Sequence, residues 1–266
     1  MTKKTRYKYI YGPVSSWRLG TSLGIDPISR DKKICTFDCV YCQVGQTAVL
    51  SDKREVFVPT KKIIEEIQSL PPLKIDYITF SGRGEPTLAK NLGEIIRRIR
   101  DARRGKIAVI TNASLVDRKD VQEDLAFADL VMLKLDACSE EAFLKINRPV
   151  PSVKFDKSLQ GMKKFRSGYK GKLALQIMFV EENKDCAPEI AGLAKDIKAD
   201  EVQINTPLRP CSTRPLAKEE LDAIKGYFQG MKVVHVYEGK KQAIKPISKT
   251  ATSKRRGICE KLRSDD

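Results

Sequence analysis

The chain has 266 residues, with 50 Lys plus Arg against 34 Asp plus Glu and a formal net charge of +16, long enough for one large α/β domain or two small ones. No apolar run approaches the ~18 residues of a membrane span, and the opening MTKKTRYKYIYG is polar and basic, which excludes a secretory signal or spanning helix and makes the cytosol the expected compartment. There, seven cysteines read as thiols for metal binding, catalysis or burial rather than as a disulfide framework.

Short β-rich runs alternate with helical patterns along the whole chain. LGIDPI (Leu23 to Ile28) is an expected strand leading into a cysteine loop. TKKIIEEIQSL follows as a helix, with Thr60 as its expected N-cap and Ile63, Ile64 and Ile67 on one face. Next come the strand DYITFSG, the helix NLGEIIRRIRDARR, the strand KIAVITNA, the short helix RKDVQEDLAF and the strand ADLVMLKLDA. The helices SEEAFLKI and KSLQGMKKF precede the strand KLALQIMFV. Helix APEIAGLAKDIK, strand EVQINTP, helix AKEELDAIKGYF and strand KVVHVYE complete the series. Strands alternating with helices of this length imply parallel βαβ units, in a barrel, a partial barrel or a doubly wound sheet.

The strand ends favour the barrel, because catalytic groups of such folds sit where strands finish. The first strand delivers the cysteines and the second SGRGEP. The third delivers Thr111 and Asn112, the fourth Lys134 and Asp136, the fifth Gln176, and the sixth Gln203 and Asn205. Lys134 and Asp136 are two apart and share a strand face, as do Gln203 and Asn205. Any one of them alone reads as a solvated strand end; their recurrence reads as the lining of one cavity. His235 is the only histidine and is expected to be an ordinary residue of the last strand, so no imidazole base is expected in the cavity.

Basic residues gather at Lys3, Lys4, Arg6, Lys8 and Arg18, at Arg97, Arg98, Arg100, Arg103 and Arg104, and in residues 239–266. Such clustering suggests a polyanionic partner such as RNA or DNA, with an ordinary lysine-rich surface as the plain alternative. The tail GKKQAIKPISKTATSKRRGICEKL has little apolar periodicity and is expected to be disordered until it meets that partner. The chain is accordingly divided into a core of residues 10–238 and a basic C-terminal extension of residues 239–266.

The stretch ICTFDCVYCQVG places Cys35, Cys39 and Cys42 within eight positions. A four-iron cluster normally takes four thiolates and a closed zinc site four protein ligands, so three clustered cysteines leave one metal position open for chemistry. The CxxxCxxC spacing, Tyr41 just before the third cysteine, and the GxGEP turn at Gly82 to Pro86 together resemble the radical S-adenosylmethionine superfamily. That resemblance implies a partial (βα)6 TIM-type barrel and one 4Fe-4S cluster on Cys35, Cys39 and Cys42. It also implies S-adenosylmethionine chelated to the open iron and cleaved reductively to a 5'-deoxyadenosyl radical. Tyr41 would then lie beside the adenine, and Gly84 and Glu85 would engage the amino group of the methionine moiety. Lys134 and Asp136 would contact ribose and carboxylate, with Asn112 and Gln176 as further cofactor contacts. An electron donor such as ferredoxin or flavodoxin would be needed. YGPVSSWRLGTSLGID, SGRGEPTL, KINRPV and INTPLRP further resemble the iron-sulfur oxidoreductases related to the wyosine synthases, which modify tRNA.

Three functions follow as alternatives. The first is a radical enzyme modifying RNA, in particular tRNA. The second is a radical enzyme acting on a protein or small molecule. The third is a non-catalytic iron-sulfur or zinc protein that binds nucleic acid, against which the lined cavity argues. Cys138, Cys186, Cys211 and Cys259 are the remaining thiols, available as a fourth ligand, for a second cluster or for catalysis; isolated cysteines are more often inert and half-buried.

Overall fold

The computed structural model describes residues 7–102, 105–239 and 243–256. Lys3, Lys4, Arg6, Arg103, Arg104, Cys259 and the end of the tail lie outside the described residues. The first strand, β1 (Ile10–Ser16), turns through Trp17 to Leu19 into β2 (Gly20–Ile25), its antiparallel neighbour. The cysteine loop follows and carries a two-residue parallel pair, β3 (Ile34–Cys35) and β4 (Val49–Leu50). Then the alternation begins, with α1 (Thr60–Gln68), β5 (Tyr77–Phe80), a 3-10 turn at Pro86–Leu88, α2 (Leu92–Ala102), β6 (Lys106–Thr111), α3 (Lys119–Leu125) and β7 (Leu130–Lys134). It continues through α4 (Glu140–Ile146), α5 (Phe155–Gly168), β8 (Lys172–Met178), α6 (Ala187–Ile197), β9 (Glu201–Asn205), α7 (Lys218–Lys225), β10 (Val233–His235) and α8 (Lys249–Arg256).

Eight strands form one sheet in the order β1-β2-β5-β6-β7-β8-β9-β10, parallel from β2 onward, and the sheet curls into a half-barrel with helices outside. The helical faces explain why the helices cover the outside of the sheet. Ile63 and Ile67 of α1, Ile95, Ile96 and Ile99 of α2, and Ile190 and Ala194 of α6 are all fully buried against the strands. Each buried isoleucine contributes about 1.5–3 kcal/mol relative to exposure. Thr60 is not the cap of α1: Pro59 holds that place and the Thr60 hydroxyl donates to Glu94 instead, at 2.9 Å.

Two features depart from the sequence expectation. β1 is an added antiparallel edge strand, with its register broken between Tyr11 and Val14 around Gly12 and Pro13. The expected disordered tail is folded in its described part. The Ile247 amide donates to the Gly12 carbonyl at 2.6 Å, Gly12 and Ser248 form a bridge, and the Gly12 amide donates to Thr252 Oγ1 at 3.0 Å. Ala251, Thr252 and Arg255 of α8 are buried. Residues 243–256 therefore cover the open side of the half-barrel next to β1, their polar composition offset by tertiary packing.

Candidate active site

The cysteine loop is held by backbone bonds to the end of α4: the Val40 amide reaches the Ile146 carbonyl at 3.0 Å and the Asp38 amide the Asn147 carbonyl at 3.1 Å. Within the loop, the Cys42 amide donates to the Cys39 carbonyl and the Gly45 amide to the Cys42 carbonyl, both at 3.1 Å. Each of the three sulfurs faces an N–H group. Asn112 Nδ2 lies 3.7 Å from Cys35 Sγ, Asn147 Nδ2 3.6 Å from Cys39 Sγ, and Lys33 Nζ 3.0 Å from Cys42 Sγ. Burial, then Glu85, pushes the Cys35 thiol up to about 12; burial, then Asp136, pushes Cys39 up to about 11. These thiols become thiolates when a metal takes their charge, and binding would release protons. Three sulfurs, each supplied with a hydrogen-bond donor and gathered on one short loop, fit a cluster held through Cys35, Cys39 and Cys42. Among the described residues no three His, Cys, Asp or Glu side chains converge on a single-ion site. The thiolates of a four-iron cluster each bind a different iron, so that convergence is not required of them.

The GRGEP turn sits directly beneath this loop. A Cβ on Gly84 would stand 1.8 Å from the Ile34 carbonyl oxygen, so the turn and β3 approach as closely as glycine alone permits. The Glu85 carboxylate is buried and accepts from Thr111 Oγ1 at 2.6 Å, the Asn112 amide at 2.7 Å, Thr87 Oγ1 at 2.8 Å and the Thr87 amide at 3.0 Å. Burial raises its pKa, and the Thr111, Asn112 and Thr87 donors oppose the shift. Glu85 therefore ties the second strand end to the third. Asn112 carries the tie onward, donating to Thr36 Oγ1 at 2.7 Å beside Cys35.

A second buried hub forms at Asp136. It accepts from the Tyr41 hydroxyl through a short bond, from Asn147 Nδ2 at 3.1 Å and from the Met178 amide at 2.8 Å; Lys134 Nζ stands 3.3 Å away. Lys134 also lies 4.9 Å from the centre of the Tyr41 ring. Burial, then the Asp136 charge, raises the Tyr41 pKa well above the ordinary value. Lys134, Gln176 and Gln203 stand in register on β7, β8 and β9. Gln203 bonds back to Glu201 at 2.8 Å, near the start of β9, and so leaves the mouth of the barrel. Asn205 lines the barrel interior.

Three adjoining cavities surround these groups. A depression of about 540 Å³ is lined by Cys39, Cys42, Arg83, Arg148, Cys211 and Lys254, among others. A groove of about 970 Å³ shares Arg83 and Lys254 with it and adds Lys8, Arg30, Lys249 and Arg255; its only acids among the described residues are Asp26 and Asp31. The barrel interior, about 640 Å³, shares Gln43 and Val44 with the depression. Of the other thiols, Cys211 faces the depression, whereas Cys138 and Cys186 stand against each other. Burial and the Cys138 contact push Cys186 up to about 12. His235 is fully buried and bonds to Asp222 at 2.8 Å, an ordinary structural pair.

Sequence reasoning did not single out Lys33, Thr36, Asn147, Asn183 or Arg209, and named Arg18 only as one of the N-terminal basic residues. KINRPV carried the only signal for Asn147. Its amide links Cys39, Tyr41 and Asp136, while Asn183 Nδ2 donates to the Asp136 carbonyl at 2.8 Å.

The family model for the Radical SAM superfamily matches residues 32–194, well over half of the chain. A UPF0026 protein of Synechocystis is 41% identical over 216 residues, covering 81% of this chain and 80% of that protein. Among solved structures, archaeal TYW1 superposes with a TM-score of 0.58 at 14% identity, over 82% of this chain and 74% of that one. Streptococcus suis SuiB bound to S-adenosylmethionine superposes with a TM-score of 0.60 at 14% identity, over 77% of this chain. The chain spans about half the length of SuiB, 48%. No helix among the described residues is long and apolar enough to cross a membrane.

Proposed function

Because the chain belongs to the radical S-adenosylmethionine superfamily and is a radical SAM enzyme, we propose that it turns this chemistry on RNA, with tRNA the expected form. The observation that carries this reading is the basic groove running into the depression that the half-buried Cys39 and Cys42 line. Lys8, Arg30, Arg83, Lys249 and Lys254 face only Asp26 and Asp31 among its described acids, a charge balance suited to a phosphate backbone. The fold implies a four-iron cluster and S-adenosylmethionine, which when bound would supply the radical that abstracts hydrogen from a substrate. Cys35, Cys39 and Cys42 hold the cluster, Gly84 and Glu85 shape the wall beside it, and Asp136 with Asn147 fixes the far wall. The electron is expected from a small donor such as ferredoxin or flavodoxin. A nucleotide must leave its stack to reach the depression, at a cost of a few kcal/mol, so a loop base is favoured over a paired one.

A second reading, a free small molecule or peptide segment as substrate, is favoured by the barrel interior, whose 640 Å³ suits one small ligand. Filter retention of bulk tRNA by anaerobically reconstituted protein at several salt concentrations separates the two. If five basic groups each meet a phosphate, the slope of log affinity against log salt is about −3.5 for single-stranded contacts. K249Q should then flatten it by about 0.7. Weak binding with no salt dependence in the intact protein would remove the RNA reading and leave the second.

A further inference from the structure

The barrel interior is lined by Arg18, Arg209, Arg255 and Arg256 and, among the described residues, by no Asp or Glu. Arg255 is accounted for: it stands 3.4 Å from Asp26 and bonds to Ser29 and to the Lys8 carbonyl. Arg18 is not. Its Nε and one terminal nitrogen are fully buried and carry no hydrogen bond among the described residues, and its guanidinium lies 5.0 Å from the centre of the Trp17 ring. Arg209 bonds to Gln43 at 2.9 Å and to the Arg256 carbonyl, both neutral acceptors. Two guanidinium groups therefore share a partly desolvated space with no anion, where each unmade bond costs more than it would in water.

We propose that Arg18, from the turn end, and Arg209, from the cysteine-loop end beside Gln43, form a phosphate-binding site inside the barrel and hold one phosphoryl group of the substrate between them. Arg18 sits in the turn joining β1 and β2. Ser16 pairs with Gly20, and Ser22 pairs with Tyr77, the first residue of β5, so the turn lies at the opening ends of the parallel strands. The cysteine loop follows the other end of β2. With six residues in β2, turn and loop are about 20 Å apart, a span that the interior bridges from Arg18 to Gln43. Burial, then Arg209, holds Arg18 down to about 10, and burial, then Arg256, holds Arg209 down to about 10, so both remain cationic at neutral pH. A phosphoryl group between two such groups offers each a separate oxygen acceptor and offsets their repulsion, more fully as a dianionic monoester than as the monoanionic diester of an RNA backbone. The site goes beyond the RNA reading, because it holds whether the phosphate belongs to an RNA nucleotide or to a free phosphorylated molecule.

The test uses the full chain, anaerobically reconstituted, and calorimetric titration with inorganic phosphate, ribose 5-phosphate, ribose and a short single-stranded RNA. Phosphate and ribose 5-phosphate should bind and ribose should not. R18Q and R209Q should each weaken phosphate binding at least tenfold, while R18K should retain part of it and K61Q, on the exposed face of α1, should leave it unchanged. Phosphate should also raise the thermal midpoint of the parent protein, a readout that survives if R18Q fails to fold. Loss of RNA affinity in R18Q would identify the phosphate as RNA's; unchanged RNA affinity beside lost ribose 5-phosphate binding would assign it to a free molecule. No phosphate binding by the parent, or R18Q binding phosphate as the parent does, overturns the site whatever the outer groove does with RNA.

Discussion

Replacing Glu85 by alanine separates two roles for this carboxylate. The superfamily resemblance assigns it to the amino group of the cofactor, whereas the structure shows it taking four hydrogen bonds from Thr87, Thr111 and Asn112. Without the carboxylate, the two hydroxyls can rotate to other acceptors, but the amides of Thr87 and Asn112 cannot. Each stranded amide costs about 1–3 kcal/mol, so Glu85→Ala should cost about 2–6 kcal/mol. Against a total stability of about 5–15 kcal/mol that is a large loss. At about 2–4 °C per kcal/mol for a chain of this size, scanning calorimetry under argon should find the midpoint lowered by roughly 5–20 °C. Glu85→Gln keeps the volume and one acceptor oxygen but points an amide at donors, and should fall between parent and alanine. Cofactor affinity should drop as well, because Asn112 and Gly84 lose their anchor. A midpoint within 1 °C of the parent, with cofactor affinity lost, would refute the hub and leave Glu85 as a cofactor ligand alone.

Further outcomes follow from the same geometry. Gly84→Ala forces a Cβ to within 1.8 Å of the Ile34 carbonyl, so it should displace the cysteine loop and lower iron content after reconstitution, read by iron assay per chain. Burial raises the Glu201 pKa, but Lys172, Gln203 and Lys232 outweigh it and hold the group at about 2. Its stabilising contribution is thus complete above the ordinary value of 4.5 and lost as pH falls through 2. That contribution is of order 3 kcal/mol, and Glu201→Gln should flatten urea-unfolding stability between pH 4.5 and 2 relative to the parent. Deleting residues 239–266 should expose the edge of β1 and the barrel interior and increase binding of an apolar dye. The Cys186 thiol, at about 12, should be alkylated by iodoacetamide at pH 8 far more slowly than a thiol of ordinary pKa.

The parts of the site legible in the sequence are those whose chemistry is local. Cys35, Cys39 and Cys42 with Tyr41 lie on one loop, and Gly84 with Glu85 on one turn, so their spacing survives without the fold. The alternation of apolar runs was likewise readable, because each strand and helix has a single period. β1 was not, since Gly12 and Pro13 interrupt IYGPVSS and a proline inside a run demotes it to an edge strand, the position it occupies. KTATSKRR reads as a solvated tail, yet it folds as α8 because Ala251 and Thr252 pack on β1, a tertiary contact without a periodic signal. Asn147 and Asn183 reach the site from beyond the cysteine loop, and Lys33, two residues before Cys35, looks from sequence like any other basic residue. Arg18 and Arg209 stand 191 positions apart in the sequence. Only the curl of the sheet brings them into one cavity.

The central claim is radical chemistry directed at RNA, and its most direct measurement is 5'-deoxyadenosine formation by the reconstituted chain with S-adenosylmethionine and dithionite, with and without bulk tRNA. The account predicts slow formation alone, marked stimulation by tRNA with a mass change in one nucleotide, and none with Cys39→Ala. Equal formation with and without RNA, and no altered nucleotide, would contradict it.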